Sequence, residues 1–387
     1  MYTFSSESVS DGHPDKLADQ IADAILDACL AGDAASRVAC EVLVSRDLVV
    51  LAGEITTQAH LDYESIVRRV IREVGYTEKG RGFDAESCRI VQNLSRQSED
   101  IARGVNKSAQ KRQGAGDQGM VFGYACQETP QFMPLPIMLA HKIMRELVAR
   151  RKEGELPFLR PDAKTQVSIL FDEKGTPLHV DRVILSVQHS AEISQRELSK
   201  VMRDFLSRIL PSKYYSSQTA VDINPAGRFV LGGPACDAGL TGRKIVVDTY
   251  GGQSRHGGGS FSGKDPSKID RSAAYMARYI AKQVVAAQLA SRCEIQLAYA
   301  IGQPEPVSLY LDTFGTHIFP PKKIQVAIEN SFDLTPEGMT DQLHLQNQNY
   351  FLTAFGGHFG RSSTECSWER MDRIEELTSH VHHLSAL

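Results

Sequence analysis

The amino-acid sequence predicts an α+β fold made of three similar units, because the order helix, strand, strand, helix occurs three times along it. The units recur at intervals of roughly 125 residues. A chain of 387 residues is long enough for two or three domains with their own cores. Its formal net charge of −4 and 42% hydrophobic content are typical of a globular protein and exclude a disordered chain.

The first unit begins with apolar residues at helical spacing, which predict a helix over residues 15–30. Two apolar runs, over residues 38–44 and 48–55, predict strands joined by a short polar turn. A further periodic segment predicts a helix over residues 62–74.

The other two units repeat this order of elements. The second is predicted over residues 137–151, 166–171, 178–187 and 194–209. The third is predicted over residues 270–290, 294–301, 307–311 and 321–330. The corresponding domains are an N-terminal one over 1–100, a central one over 114–231 and a C-terminal one over 232–387. Residues 97–113 form a long, polar and weakly periodic segment, and such loops are commonly lids or disordered segments; we predict a flexible lid here.

Two of the apolar segments, Val38-Ala39-Cys40 and Ile245-Val246-Val247, would be apolar on both faces of a strand. Sheets with such strands are covered on both sides. A homodimer that buries sheet faces explains the pattern, and so do helices on both sides, so the sequence leaves both arrangements open.

The segment 249–275 carries the strongest chemical signal in the sequence. Six glycines lie between residues 251 and 263, and Lys264 and Lys268 follow them at the start of a predicted helix. Glycine lets backbone N–H groups approach an anion, lysine supplies positive charge, and the helix N-terminus adds its dipole. These features predict a polyphosphate site, and Asp270 beside it predicts a ligand for Mg²⁺.

A second helix start resembles this one in composition. The segment Gly12-His13-Pro14-Asp15-Lys16 directly precedes the first predicted helix, and proline and aspartate both suit a first helical turn. By itself the pattern predicts only a good helix start. Because segment 264–268 also combines lysines and aspartate at a helix start, we hypothesise that the two converge on one anion and its metal.

Charge and cysteine content limit the function classes. Positive charge is local, with six Lys or Arg against three Asp between residues 243 and 271. The seven cysteines form no C-x-x-C pair, so we expect reduced core residues rather than disulfides or a zinc site. Since the sequence shows neither a signal peptide nor 18 consecutive apolar residues, we expect a cytoplasmic protein without a membrane partner.

Seven blocks of the sequence together resemble the signature blocks of the S-adenosylmethionine synthetase family, also called methionine adenosyltransferases. They read GHPDKLADQIADAILDA, AGEITT, RQGAGDQGMVFGYA, LRPDAKTQV, GRFVLGGP, GLTGRKIVVDTYGG and HGGGSFSGKDPSKIDRSAAY, in the family's order. The resemblance implies three intertwined, pseudo-symmetric α+β domains in a homodimer or a dimer of dimers, with paired sheet faces and active sites at the subunit interface. It also implies synthesis of S-adenosylmethionine from ATP and L-methionine, followed by hydrolysis of the bound triphosphate to pyrophosphate and phosphate.

The resemblance further implies roles for single residues. Catalysis and triphosphate binding are implied for His13, Lys164, Arg243, Lys244, Lys264 and Lys268. Further contacts with ATP are implied for Asp162, Arg228, Phe229, Asp237 and Ser260. Contacts with methionine are implied for Glu54, Gln97, Asp117, Asp237 and Lys268. Two Mg²⁺ ions per site are implied at Asp15 and Asp270, and one K⁺ at Glu41.

Two other functions fit part of the pattern. A phosphotransferase could use the same lysines and Mg²⁺ for γ-phosphoryl transfer, and it would release ADP instead of the whole triphosphate. An RNA-binding surface could combine Arg103, Lys107, Lys111 and Arg112 with segment 145–152. The negative net charge and the lack of aromatic residues within a basic run argue against nucleic acid as a partner.

Overall fold

The computed structural model describes residues 1–98 and 112–383, which form three β-sheets with helices packed against them. The strands are β1 Tyr2–Val9, β2 Arg37–Ser45, β3 Leu48–Thr56, β4 Arg89–Ser95, β5 Gly119–Cys126, β6 Leu159–Phe171, β7 Pro177–His189, β8 Ala220–Ile223, β9 Gly239–Leu240, β10 Arg292–Tyr299 and β11 Ser308–Asp312. The α-helices are α1 Pro14–Gly32, α2 Tyr63–Val74, α3 Leu135–Lys152, α4 Gln195–Ile209, α5 Ile245–Asp248, α6 Ile269–Ala286, α7 Pro321–Ser331, α8 Pro336–Gln342 and α9 Ile374–His383.

All the helices and strands of the three predicted units are present, so the predicted order of elements is confirmed. The largest difference between a predicted and an observed strand boundary is at β6, which begins at Leu159 and was predicted to begin at Gln166. One prediction is wrong: Ile245–Asp248 forms a short helix, not part of a sheet. Three apolar residues in a row are compatible with either element, because periodicity cannot distinguish them over so short a run, and only Val247 of the three is buried.

The three sheets exchange strands between distant parts of the sequence. The first has the order β4-β3-β2-β9, the second β1-β6-β7-β8 and the third β11-β10-β5. Each therefore includes one strand that lies far in sequence from its neighbours, namely β9, β1 and β5. The chain is a mixed α/β protein with an intertwined arrangement, as the family resemblance implies.

Within residues 1–98 and 112–383, helices cover only one face of the first sheet. Val38, Cys40 and Val42 of β2 are buried on the face that packs against α1. The alternate residues of β2, including Glu41 and Leu43, are partly or fully exposed on the opposite face. Helices on both sides therefore do not explain the apolar pattern of this sheet in the single chain.

Two apolar cores hold these layers together. The larger contains α1, α2 and α6 with strands of the first and third sheets. The smaller contains α3 and α4 on the second sheet.

Six of the cysteines are buried and free, as expected, whereas Cys236 is exposed, so the expectation of a core position is wrong for this residue. Within the described part of the chain, none of the helices combines the length and apolarity that crossing a bilayer requires.

Candidate active site

The turn before α1 lies against the start of β6. His13 caps α1, with its Nδ1 accepting a hydrogen bond from the Asp15 N–H at 3.2 Å. The Ser10 N–H donates to the carbonyl of Ala163 at 2.9 Å, and its hydroxyl donates to that of Pro161 at 2.7 Å. These bonds place the N-terminal motif beside the β6 segment that carries two other predicted site residues, at positions 162 and 164.

Asp15 connects this turn to a loop from the C-terminal part of the chain. Its Oδ1 accepts the N–H of Leu240 at 3.0 Å. The Lys244 ammonium lies 3.3 Å from its Oδ2, and the Arg243 guanidinium lies 3.9 Å from its Oδ1. Together with Lys164, whose charge also acts on His13, these residues form the Asp15 cluster, defined as His13, Asp15, Lys164, Arg243 and Lys244.

His13 is neutral in this cluster. Burial lowers its pKa to about 3, and the positive charge of Lys244 acts in the same direction. Because Nδ1 accepts a hydrogen bond, the proton of the neutral ring lies on Nε2. The ring can therefore donate a hydrogen bond to an anion, while the lysines and arginine supply the charge.

Asp162 is buried next to this cluster and holds the segment that follows β8. Its Oδ2 accepts the Gly233 N–H at 2.8 Å. Burial raises the pKa of its carboxyl to about 6, and the hydrogen bond from Gly233 opposes the rise. Gln188 accepts from the Asp162 N–H at 3.3 Å and donates to the Val230 carbonyl at 3.1 Å. Segment 228–233 is thereby fixed beside Asp162.

The residues predicted to bind adenosine occupy this segment and its surroundings. Phe229 is half-buried, and its N–H donates to Nε2 of His189 at 3.1 Å. Arg228 and Asp237 are exposed. Ser260 lies against the loop of the Asp15 cluster, since a Cβ on Gly242 would be 2.2 Å from that of Ser260.

A second group of predicted site residues lines one cavity of about 480 Å³. Its lining includes Glu54, Gln97, Asp117, Lys264, Lys268 and Asp270. It also includes Arg37, which the sequence analysis did not identify. We call this the Lys264 cavity. With Arg96, which also lines it, the cavity has three carboxylates and four cations, so it can accept a ligand with both a positive and a negative group.

The glycine-rich loop and the open face of the first sheet meet at this cavity. Lys264 forms an isolated β-bridge with Ala39 of β2, and the Cys40 N–H donates to the Gly263 carbonyl at 2.9 Å. Lys268 occupies the N-cap position of α6, in agreement with the predicted helix start. Its ammonium lies 2.5 Å from the buried carboxylate of Asp265.

Lys264 and Asp270 form an ion pair at 2.7 Å in the cavity. The sequence predicted one as a phosphate contact and the other as an Mg²⁺ ligand. Glu41, the predicted K⁺ ligand, lies on the same exposed sheet face. Partial desolvation raises the pKa of Glu41, and the charge of Lys264 opposes the rise.

The structure thus divides most of the predicted residues between the Asp15 cluster and the Lys264 cavity. Among residues 1–98 and 112–383, no hydrogen bond or ion pair joins the Asp15 cluster to a side chain that lines the Lys264 cavity. The predicted convergence of the two helix starts on one anion does not occur through direct contact within the chain. Most of the predicted lid, residues 99–111, lies outside the described residues.

The donor atoms suit an ion that is bound mainly by phosphate and water. No group of three or more His, Cys, Asp or Glu able to hold a metal occurs in the described ranges. Asp15 and Asp270 each offer a single carboxylate beside lysine. Mg²⁺ usually keeps several waters and takes phosphate oxygens with only one or two carboxylates, so this donor set fits Mg²⁺ on a polyphosphate.

Three family models match consecutive parts of the chain. They describe the N-terminal, central and C-terminal domains of S-adenosylmethionine synthetase, and they match residues 1–99, 112–229 and 231–370. The chain belongs to the S-adenosylmethionine synthetase family. Enzymes of this family are methionine adenosyltransferases that use metal ions and form S-adenosylmethionine from ATP and methionine. The predicted reaction and enzyme class are confirmed, and the family assignment favours them over a phosphotransferase or an RNA-binding module.

The basic residues of segment 145–152 have internal partners, which bears on the RNA-binding alternative. The Arg145 guanidinium donates to the Gly356 carbonyl at 2.5 Å. The Arg151 guanidinium bonds to the carboxylate of Asp11 at 2.9 Å. These two cations are therefore engaged in holding segments of the chain together.

Sequence reasoning missed several buried polar residues that support the site. Three fully buried side chains of α1 belong to this set: Lys16, Asp19 and Asp23. Asp19 accepts a hydrogen bond from the loop at Gly242 in the Asp15 cluster, and Asp23 accepts one from the loop at Gly263 beside the Lys264 cavity. Lys16 donates to Asp19. A signal for them was present, because aspartate occurs at every fourth position from residue 15 to residue 27. Polar residues at helical spacing in a helix that is buried on most sides indicate specific buried partners.

Proposed function

We propose that this chain forms S-adenosylmethionine at a site between two protomers, where the Asp15 cluster of one protomer faces the Lys264 cavity of the other. The observation that carries the proposal is the position of the cavity. It is lined by Ala39 and Glu54, which pair across the open face of the first sheet. A homodimer that pairs these faces, alone or in a dimer of dimers, would close the cavity with residues of the partner.

Exposed apolar side chains support this assembly. Val91 of the first sheet is 40% exposed, and Met120 and Tyr310 of the third are 46% and 48% exposed. Apolar groups on open sheet faces gain free energy by burial at about 25 cal/mol per Å². Pairing the faces would remove them from water.

The positive charge of both groups suits the triphosphate of ATP. In the proposal, His13, Lys164, Arg243, Lys244 and Lys264 contact its oxygens. One ion pair at 4 Å amounts to about 4 kcal/mol at an effective dielectric constant near 20, whereas a helix terminus contributes about 0.3–1 kcal/mol. The side-chain cations therefore dominate over the helix dipoles. Two Mg²⁺ ions, at Asp15 and Asp270, would supply further positive charge, and K⁺ would bind at Glu41.

Methionine has the charge pattern that the Lys264 cavity complements. Its ammonium group suits the carboxylates of Glu54 and Asp117, and its carboxylate suits the ammonium of Lys268. Gln97 offers an amide to either group. Asp237 would contact both methionine and the nucleotide, while Asp162, Arg228, Phe229 and Ser260 would lie against adenosine.

The reaction then needs alignment more than acid–base chemistry. The neutral sulfur of methionine forms a bond to C5′ of ATP, and the C5′–O bond breaks with its electron pair leaving on the triphosphate. No proton is removed from the nucleophile, so the cations that hold the leaving triphosphate account for most of the catalysis. Water then cleaves the bound triphosphate to pyrophosphate and phosphate.

The experiment that tests this function is product analysis. The protein is incubated with ATP, methionine, Mg²⁺ and K⁺, and the products are identified by mass spectrometry and phosphorus NMR. We expect the sulfonium product together with pyrophosphate and phosphate. Formation of ADP without a sulfonium product would establish a phosphotransferase instead.

We also propose a cytoplasmic location, domains over 1–100, 114–231 and 232–387, and a lid over 97–113.

A further inference from the structure

One face of α1 carries four aspartates, one at every fourth position, and each accepts backbone N–H groups from a segment distant in sequence. Asp15 accepts from Leu240 at 3.0 Å, Asp19 from Gly242 at 2.8 Å, Asp23 from Gly263 at 2.9 Å, and Asp27 from Tyr350 and Phe351 at 2.9 and 2.8 Å. We call this series the aspartate ladder. It ties the first helix of the chain to three C-terminal segments.

The two middle aspartates hold the loops that carry the cations of the site. Gly242 directly precedes Arg243 and Lys244, and Gly263 directly precedes Lys264. Asp19 and Asp23 are both 0% exposed. Their hydrogen bonds therefore fix the main chain immediately before the predicted triphosphate contacts, from a position that solvent does not reach.

Each middle aspartate has its own buried cation. The Lys16 ammonium lies 2.8 Å from Asp19 and also bonds to Asp248, the last residue of α5. The Arg271 guanidinium lies 2.7 and 2.9 Å from the two oxygens of Asp23 and donates to the Lys264 carbonyl at 3.3 Å. Buried charges are costly unless they are paired and hydrogen-bonded, and both aspartates meet these conditions.

We propose that Asp19 and Asp23 are positioning residues for adenosyl transfer. Asp19, with Lys16, holds Arg243 and Lys244 in the Asp15 cluster. Asp23, with Arg271, holds Lys264 at the cavity. This inference rests on the proposed role of those cations in binding triphosphate. The two aspartates are about 6 Å apart along the helix, so α1 is a common support for the two groups of site residues.

The test compares Asp19→Asn with Asp27→Asn, a matched control from the same ladder. Both changes remove a carboxylate that accepts backbone N–H groups, but Asp27 holds segment 350–351, which carries no predicted site residue. Inorganic triphosphate with Mg²⁺ is the probe, titrated by calorimetry into the full-length protein, alongside KM values for ATP and methionine. We expect Asp19→Asn to weaken triphosphate binding and raise the KM for ATP about tenfold, with the KM for methionine changed less than twofold.

We expect Asp27→Asn to bind triphosphate like the unchanged protein even where its melting temperature falls as much as that of Asp19→Asn. Equal affinities for all three proteins would overturn the inference. Equal weakening in both variants would also overturn it, because the effect would then follow general stability. Asp23→Asn should weaken triphosphate binding as Asp19→Asn does, and normal affinity in it would remove Asp23 from the proposal.

Two further variants keep the test decisive. Lys244→Ala reports on the proposed triphosphate site itself: if it binds triphosphate normally, the proposed function of the cluster is wrong, whatever Asp19 does. If Lys244→Ala binds weakly and Asp19→Asn binds normally, only the positioning role is wrong.

Should Asp19→Asn fail to fold, Asp19→Glu keeps the charge opposite Lys16 and displaces the carboxylate by one methylene. We then expect weaker triphosphate binding in a folded protein, and unchanged affinity would overturn the inference.

Discussion

Burial acts on two side chains of the site, His13 and Asp162, in opposite directions. It lowers the pKa of His13 to about 3 and raises that of Asp162 to about 6, because in both cases it penalises the charged form. His13 is therefore neutral at physiological pH, while Asp162 takes up its proton slightly below it. The positive charge near the triphosphate contacts then comes from lysine and arginine.

Asp162 should make the protein less stable as the pH rises. Its pKa in the folded chain lies above the ordinary value, so its contribution to stability is fully present below about pH 4 and is lost as the pH rises through 6. The Asp162→Asn change removes this dependence. We expect the free energy of unfolding of the variant, relative to the unchanged protein, to increase by up to about 3 kcal/mol between pH 4 and pH 7.

Urea unfolding of both proteins at the two pH values measures this difference. Asp237→Asn is the control, because it makes the same chemical change at an exposed position of the same region. A difference between Asp162→Asn and the unchanged protein that is the same at pH 4 and pH 7 would contradict the prediction.

Lys264→Ala should affect turnover far more than stability. The side chains of Lys264 and Asp270 are 17% and 25% exposed, and ion pairs that reach solvent contribute about 1 kcal/mol or less. Loss of a cation that stabilises a leaving triphosphate typically costs about 10²-fold or more in rate. We expect such a loss in steady-state formation of S-adenosylmethionine, with unfolding free energy changed by about 1 kcal/mol.

The matched control for this prediction is Lys200→Ala, which removes an exposed lysine from α4. This change should leave both the rate of S-adenosylmethionine formation and the unfolding free energy unchanged. Turnover of Lys264→Ala close to that of Lys200→Ala would remove Lys264 from the triphosphate site.

At the level of helices and strands, the glycine-rich loop has positions with different steric demands. Gly263 has φ +79°, and a Cβ there would lie 2.0 Å from the carbonyl oxygen of Cys40. Gly258 has φ +96°, and a Cβ there would meet no atom within 4 Å. Gly263 is therefore confined by β2, and its carbonyl also accepts a hydrogen bond from the Cys40 N–H of that strand. Gly258 is not confined by the sheet.

We therefore expect Gly258→Ala to cost about 1–2 kcal/mol through backbone strain alone, with little effect on the KM for ATP. Gly263→Ala adds a clash with main-chain atoms, so it should cost clearly more and raise the KM for ATP by displacing Lys264. Chemical denaturation and steady-state kinetics of the two variants measure these effects. Equal costs at both positions would show that the loop can move away from β2.

The sequence predicted the helices and strands that have clear periodicity, and it missed those that lack it. β1 and β5 were not predicted, because their positions depend on partners far along the chain, β6 and β10. β9 has only two residues and is defined by pairing with β2 alone. Periodicity describes one face of one element, so it carries no information about which distant strand completes a sheet.

The same limit applies to the candidate site. Conspicuous motifs identified residues such as Asp15 and Lys264, because their residue types suit anions and metals. The residue patterns alone did not show the division into two groups, since it depends on contacts between Asp15 and Leu240 and between Lys264 and Ala39. Only the family resemblance implied active sites at a subunit interface. Supporting residues such as Asp19 were missed because their partners are backbone groups, which have no sequence signature.

For the molecule as a whole, the separation of the two groups makes a prediction about mixed assemblies. His13→Ala and Lys264→Ala alter different groups, so a heterodimer of the two variants would contain one site with both halves intact. Random exchange in an equal mixture gives about half heterodimers, each with one intact site of two. We expect recovery to about one quarter of the activity of the unchanged protein, measured as sulfonium product after subunit exchange.

The control is a mixture of His13→Ala and Lys244→Ala, which both alter the Asp15 cluster. Every site in that heterodimer carries one altered half, so no recovery is expected. Absence of recovery in both mixtures, with heterodimers demonstrated by native mass spectrometry, would show that each site is built within one chain.

The exchange of strands between sheets also affects how the chain is made. The ribosome completes β5 at Cys126, but its neighbour β10 begins only at Arg292. At about 5–20 residues per second, β5 waits roughly 10–30 s before its partner emerges. During this interval a nascent chain carries the apolar segment Val121-Phe122-Gly123-Tyr124 without the strand that finally covers its edge. Aggregation during synthesis is therefore most acute for products that terminate between these two strands.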